Sequence, residues 1–345
     1  MVEGQGVVTG RYGTLGEMYY VDGKYWPHNT ALYVTTFKGN DPKYIYYLLT
    51  CLGRIRTSDK SAVPGVNRNE LHEMEIPAIS DTKQQKKVAA ILSALDAKID
   101  CNNRINAELE AMAKTLYDYW FVQFDFPDAS GTPYKSSGGK MAYNATLKRE
   151  IPSGWHDSNV LAVADLLGGG TPTKKKPHYW GGDIPFFTPT DADGSIFKFS
   201  TTDYITSEGL KGSSTKLFSK HTVFITARGS VGRLVLAGVD MAMNQSCYAL
   251  RAKAGISHVF LFFLAKELIH HLHVKSSGSV FDSIVSNDIE LTKLAIPKGE
   301  VIEKFAAVVE PVFEKIANNT KENQQLAQLR DWLLPLLMNG QVTVA

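Results

Sequence analysis

Cysteine is scarce: Cys51, Cys101 and Cys247 are the only three, and they lie far apart. They suggest neither a disulfide framework nor a zinc knuckle, and a reducing, cytoplasmic setting fits best. No run of about 18 apolar residues occurs, so no membrane-spanning helix is expected. Residues 1–30 lack the basic-then-apolar pattern of a secretion signal. An excess of one charge is missing too, with 37 Lys and Arg against 35 Asp and Glu and a net charge of +2. A protein that neutralises DNA phosphates alone is usually more basic. Either nucleic acid is not the partner, or other subunits supply much of the positive charge. What remains is an ordinary globular composition, 44% hydrophobic and 21% charged, in 345 residues. That length suits two or three domains.

An internal repeat organises the chain. Adding 217 to Val88, Ile91, Leu95, Ile99, Asn102, Asn106, Leu109 and Leu116 gives Phe305, Val308, Val312, Ile316, Asn319, Asn323, Leu326 and Leu333. Apolar residues fall on apolar residues, and both asparagines on asparagines. Upstream, Leu71, Met74, Ile76 and Pro77 match Leu291, Leu294, Ile296 and Pro297 at an offset of 220. Asn29 and Tyr33 match Asn244 and Tyr248 at 215, and Gly13 and Gly16 match Gly229 and Gly232 at 216. Each unit is a globular segment, an Ile-Pro exit and a long helix. The second begins near Ile151; the first would begin roughly 75 residues before Met1 if the repeat were complete. A half domain exposes core surface.

Apolar residues from Val88 to Leu116 recur at heptad-like spacing, a seam narrow enough for one partner helix. The repeat supplies that partner, parallel or antiparallel. Val88, Leu95, Ile99, Asn102 and Leu109 form the first half of the expected seam, and Val312, Ile316, Asn319 and Leu326 the second. A seam asparagine weakens a helix pair unless it meets a polar partner, so the matched asparagines predict a fixed register. The first helix would be roughly 58 Å long at about 1.5 Å per residue. Pro311, where the first helix has Ala94, predicts a kink or short break.

Pro127, Gly131, Pro133 and Ser136–Gly139 read as a linker. Beyond it, short β-rich runs at Ile184–Thr188, Thr222–Thr226 and Arg233–Leu236 alternate with turns, and Val259–His271 reads as an apolar helix. The expected class is α+β, with mixed α/β domains joined by two long helices in a coiled coil. The divisions are 1–80 (partial first domain), 81–123 (first helix), 124–150 (linker), 151–299 (second domain) and 300–341 (second helix).

"IPSGW" at Ile151–Trp155 and "GGGTPTKKKPHYWGGDIPFFTPTD" at Gly168–Asp191 resemble the opening of a target-recognition domain of type I restriction-modification specificity subunits. "WFVQFDFP" at Trp120–Pro127 and "GTPYKSSGGKM" at Gly131–Met141 are similar to the central region of such subunits. The resemblance covers essentially the whole chain. It implies a reader of a bipartite target in double-stranded DNA, with no catalysis of its own. It further implies two adenine-methylating subunits docked on the helices, and a translocating nuclease subunit as an optional further partner. S-adenosylmethionine, Mg and ATP would belong to those partners, and no cofactor to this chain. One departure stands out: "VVTGRYGTLG" opens the first domain within what should be its second half. A misassigned start, a truncation and domain shuffling each fit that departure.

The loop Gly168–Lys176 carries Thr171, Thr173, Lys174, Lys175 and Lys176, suited to phosphates and base edges; a solvated basic loop is the bland alternative. Arg228, with Ser230 beside it, suits guanine, since its fork matches O6 and N7. Arg11 and Tyr12 hold the corresponding place in the first unit. Asn244 and Gln245 could read adenine, but the match to Asn29 favours a structural role. Lys275 and Ser276 start a polar loop that suits phosphate or plain solvent. His270, His271 and His273 lack the carboxylate or thiolate company of a metal site, so none is expected. Tyr117, Tyr119, Trp120 and Phe121 read as helix-end packing or a docking surface. Neither an Asn/Asp-Pro-Pro-aromatic motif nor a glycine-rich methionine-cofactor loop is present, which argues against a methylase. A rival reading remains: an adaptor or competitor that binds methylase without specifying a full site.

Overall fold

The computed structural model describes residues 1–10, 17–51, 68–275 and 283–344. Arg11, Tyr12 and Ser276 lie outside the described residues. The chain divides into two compact units, residues 1–103 with 322–345, and residues 104–321. The early elements are β1 (Val2–Gly10), β2 (Met18–Tyr25), β3 (Ala31–Tyr33), α1 (Pro42–Cys51), α2 (Arg68–Glu73) and α3 (Thr82–Tyr117). Next come β4 (Met141–Asn144), β5 (Arg149–Pro152), β6 (His156–Ser158), β7 (Ala164–Gly168), β8 (Trp180–Phe187), β9 (Phe197–Lys198) and β10 (Asp203–Ile205). Then follow α4 (Ser207–Lys211), β11 (Val223–Thr226), β12 (Leu234–Ala237), β13 (Ala242–Met243) and β14 (Cys247–Ala252). Last are α5 (His258–Lys275), α6 (Ser286–Leu291), β15 (Leu294–Ile296) and α7 (Gly299–Met338).

The first unit is a three-stranded antiparallel sheet, β2-β1-β3, with α1 beside it. Asp41 caps α1 by accepting the Tyr44 amide at 2.9 Å, and Pro42 fills the first helical position. Tyr44, Tyr47 and Leu48, spaced three and four apart, form the buried stripe of α1. They meet Val88 and Leu92 from the start of α3, and Leu334, Leu337 and Met338 from the end of α7.

The second unit holds the five-stranded sheet β7-β14-β11-β12-β9, the small sheet β10-β8-β13 and the hairpin β4-β5. Its strand register repeats the first unit's. Val7↔Tyr20 and Val8↔Tyr33 answer Val223↔Leu236 and Phe224↔Ala249, a constant offset of 216. The α5 helix corresponds to α1 and is buried on most sides. Tyr117, Trp120 and Phe121 from the end of α3 pack with Phe305 of α7 and with Phe260 and Phe263 of α5. By the repeat they stand where Leu334, Leu337 and Met338 stand in the first unit. Tyr119 points to solvent.

The two long helices run antiparallel within each unit. In the first, Asn102 and Arg330 illustrate the direction: Asn102 reaches Asn323 at 2.9 Å, and Arg330 reaches the earlier Asp96 at 2.8 Å. In the second, Asn319 donates to Asn106 at 2.8 Å. Val88, Ile316, Asn102 and Asn319 are buried, while Leu95, Ile99, Leu109, Val312 and Leu326 are half-buried.

Three expectations are corrected. The segment 124–150 is not a loose linker. Phe124 and Phe126 are buried against Trp155, Asp125 accepts the Ser136 amide at 2.7 Å, and β4-β5 closes the segment. Its glycines and prolines shape turns around an aromatic cluster that composition alone hides. Pro311 does not break α7, which runs unbroken from Gly299 to Met338. Buried neighbours Val309 and Phe313 hold the helix, and Pro311 itself is exposed, so its missing amide falls on the solvent side. The seam of α7 holds at Phe305, Ile316 and Asn319, but between Phe305 and Ile316 its buried positions shift by one residue. Val309 and Phe313 are buried, whereas Val308 is 54% exposed. The cause is α5: Phe313 meets Phe262 and Phe263 at 5.8 and 5.6 Å, so the buried stripe turns toward α5 as well as α3. No described helix is long and apolar enough to cross a membrane.

Candidate nucleic-acid interface

Sheet topology brings three loops of the second unit to one end. Gly168 pairs with Tyr248, and Thr226 with Cys247. So the loop leaving β7, the loop leaving β11 and the turn entering β14 share an edge. The end of β8 joins them, because Asn244 donates its amide to the Phe187 carbonyl at 3.0 Å.

The 244–246 turn ties the loops together. Asn244 accepts the Ser246 amide at 3.0 Å, a local turn bond that uses its side chain structurally. Gln245 is exposed, and its side-chain oxygen accepts from the Thr171 hydroxyl. The Ser246 carbonyl accepts the amides of Ala227 and Arg228 at 2.8 and 3.1 Å. Gly169 is there because nothing larger fits: a Cβ would sit 2.1 Å from the Asn244 carbonyl oxygen.

Arg228 is exposed on the β11–β12 loop. Gly229 and Ser230 follow in the left-handed region, at φ 65° and 50°. Thr226 holds the loop closed, donating to the Ser230 carbonyl at 2.6 Å and accepting the Arg233 amide at 2.9 Å. Arg228 also bridges to Ser283, and Ile284 donates to Ala227 at 2.9 Å. Gly232 approaches the side chain of His273, so Lys275, exposed at the end of α5, belongs to the same neighbourhood.

Thr173, Lys174 and Lys175 are exposed. Thr173 steers its own loop, accepting the Lys175 amide at 3.3 Å with its hydroxyl and the Trp180 ring N–H at 3.3 Å with its carbonyl. Lys176 turns to Tyr179, 3.0 Å from its hydroxyl, so of the three lysines it is the one engaged within the protein.

The sequence reading missed the turn Thr188–Asp191. Buried Asp191 accepts the Thr188 amide and hydroxyl at 2.8 and 2.9 Å and the Thr202 amide at 2.9 Å. This fixes Pro189 beside Gly229 and leaves Thr190 exposed. The signal was the Thr-Pro-Thr-Asp run, a Pro turn with a capping carboxylate. Cys247 lies beneath, its thiol pushed up to about 12 by burial and then by the charge of Asp191. A buried thiol raised in this way stays protonated at neutral pH. No group of three metal-ligating side chains occurs among the described residues.

The fold is thus a duplicated α/β unit on paired long helices, whose second copy carries basic and threonine-bearing loops at one sheet end. The chain belongs to the type I restriction modification DNA specificity domain family, whose model matches residues 2–111 and 152–328. The type I restriction enzyme MjaIX specificity subunit of Methanocaldococcus jannaschii is 28% identical over 312 residues, 88% of this chain and 69% of that protein. The HindI specificity subunit of Haemophilus influenzae is 24% identical over 313 residues, 76% of this chain and 68% of that protein. Among solved structures, the type I restriction-modification S subunit from M. genitalium matches with a TM-score of 0.57 at 16% identity. It covers 98% of this chain and 84% of that one, and shows the shared fold.

Proposed function

We propose that this chain is the sequence-reading and scaffolding subunit of a type I restriction-modification complex, and that discrimination resides mainly in its second unit. The observation that carries this is the 244–246 turn, bonded on one side to Thr171 and on the other to the backbone of Arg228. It gives two exposed basic loops one rigid base. Lys174 and Lys175 neutralise phosphates, which positions the protein without specifying sequence. Arg228 reads a guanine edge, and Gln245 and Thr190 lie on adjoining turns within the same surface. The near-neutral net charge fits a reader whose partners share the phosphate contacts.

Catalysis belongs to the partners, along with S-adenosylmethionine, Mg and ATP. Two methyltransferase subunits bind apolar patches that the repeat places on both long helices. Met112 on α3 and Leu329 on α7 are 54% and 42% exposed and are matched at an offset of 217. Trp332, 64% exposed, extends the α7 patch. Met112 and Leu329, equivalent under the repeat, suit two copies of one partner, while Trp332 answers to Thr115 and is particular to α7.

The test is selection of sites from a randomised DNA pool by the chain assembled with its methyltransferase. The expected result is a motif whose information depends on Arg228. A motif unchanged by Arg228→Ala, or methyl transfer by the purified chain alone, would overturn the assignment.

A further inference from the structure

The helix pairs of the two units are built on one repeat, yet they differ at one set of facing positions. Asp41 caps α1 at the Tyr44 amide, and Ser257 caps α5 at the Phe260 amide, which aligns the two helices at an offset of 216. Tyr47 of α1 then answers Phe263 of α5. Asp96 of α3 answers Phe313 of α7, and Arg330 of α7 answers Ala113 of α3, both at 217. In the first unit these positions hold a polar triad. The Tyr47 hydroxyl donates to one oxygen of Asp96 at 2.5 Å, and the Arg330 guanidinium donates to the other at 2.8 Å. Tyr47 is buried, and the side chains of Asp96 and Arg330 are only 27% and 32% exposed. In the second unit the same positions are apolar. The rings of Phe263 and Phe313 meet at 5.6 Å, and Phe313 and Ala113 are buried in one core.

This difference matters because the seam asparagines cannot choose between partners. Asn106 is the repeat mate of Asn323. The α3 helix of a second copy, laid antiparallel on residues 82–103, would therefore offer Asn102 the same side-chain amide that Asn323 offers it within the chain. Its apolar positions would match as well, since the repeat preserves them. At the triad the match fails. Asp96 would face Ala113 of the second copy, which gives its carboxylate no cation and leaves a gap. Paired in the same way, the α7 helices of two copies would set Phe313 against Arg330, a guanidinium without its carboxylate beside a ring too large for the place. Glu322, the second acceptor of Asn102, also breaks the repeat, with Ile105 as its mate. Its side chain is 43% exposed, where the ion pair with Lys98 contributes little.

We propose that Tyr47, Asp96 and Arg330 select the partner of α3: they admit α7 of the same chain and reject α3 of a second copy. The asparagines fix where the helices meet, and the triad fixes which helices meet. The inference rests on the helix pairing and not on the DNA-reading assignment, and its test contains no DNA.

The test uses an equal mixture of isotope-labelled and unlabelled full chain, unfolded in urea and then refolded together. Refolding at about 0.1 mM lets second copies compete with the tethered helix. The product is crosslinked at lysine and read by mass spectrometry. With Asn102 facing Asn106, Lys98 of one copy and Lys114 of the other lie one helical turn apart along the axis, so a mixed-label link between them reports α3 on α3. In the unaltered chain such links should be scarce. Tyr47→Phe with Asp96→Phe and Arg330→Ala gives the first unit the residues of the second, and should raise them at least tenfold. Asp96→Ala with Arg330→Ala, which introduces no larger side chain, should raise them too. Mixed links as frequent in the unaltered chain as in the variants would overturn the proposal. So would folded variants as free of them as the unaltered chain. Loss of folding in both variants, read by circular dichroism, would make the triad a requirement for folding rather than a choice of partner, and would overturn it equally.

Discussion

Asn102 donates from one side-chain nitrogen to Asn323 at 2.9 Å and to Glu322 at 2.8 Å, across the antiparallel helix pair of the first unit. The repeat carries this pair onto Asn319 and Asn106, joined at 2.8 Å in the second unit. The donor is the buried member each time, 1% exposed at both Asn102 and Asn319. The asparagines therefore do not meet their own repeat mates; each meets the other's mate, which only an antiparallel register allows.

Asn102→Ala should cost about 1–3 kcal/mol in urea unfolding, because it strands the partners of a buried amide. Asn102→Leu combined with Asn323→Leu should cost less than the sum of the single changes, since both polar groups leave together. Additive losses would show that the pair does not couple.

A pH dependence follows from the stacked rings of His221 and His258, whose centroids are 4.0 Å apart. Burial, then His221 and Lys220, hold the His258 imidazole down at about 4. Burial and Lys220 also lower His221, against Glu310 and Glu314, which raise it. An unfolded histidine titrates near about 6.5. Between that value and about 4 the unfolded chain binds protons that the folded chain does not. Stability is therefore full above the unfolded value and falls as the pH drops through this window. The expected loss is roughly 2 kcal/mol from pH ~7 to pH ~4.5. His258→Phe should flatten the acid side of the profile in urea melts; an unchanged slope would refute the cause.

Arg228→Ala and Lys174→Ala should separate reading from holding. The arginine change should relax base preference and cost about 1–3 kcal/mol on the preferred site. The lysine change should weaken all DNA alike and lower the salt slope by about one. Binding isotherms of the assembled complex at several salt concentrations measure both.

Gly169→Ala removes no side-chain atom, yet it forces a Cβ to 2.1 Å from the Asn244 carbonyl oxygen. The 168–176 loop must then shift from the 244–246 turn. DNA affinity should fall at least several-fold, while circular dichroism stays unchanged. Wild-type affinity would mean that the two loops act independently.

Met112→Asp and Leu329→Asp alter exposed positions, so the folded chain should tolerate them. Each should remove one methyltransferase copy, and the double variant both, as read by mass in gel filtration with light scattering. An unaltered mass for the double variant would place the docking surface elsewhere.

The sequence by itself determined the duplication, the two long helices and the asparagines on their seam. A helix imposes its 3.6-residue period on whatever it buries, and duplication preserves that period. The basic loop and the Arg228 turn were also legible, as glycine and lysine runs between strands. Direction was not: parallel and antiparallel pairs satisfy one apolar pattern, and the Asn102–Asn323 bond decides between them. The local shift at Val309 and Phe313 was hidden too, because Phe313 answers to Phe262 and Phe263 of α5, some 50 residues earlier in the chain. The aromatic cluster of Phe124, Phe126 and Trp155 was masked by glycine and proline around it. Only tertiary structure could join Thr171, Gln245 and Arg228. They come together because β7, β14 and β11 are neighbours in one sheet, and strand order is set by long-range pairing that local sequence does not encode.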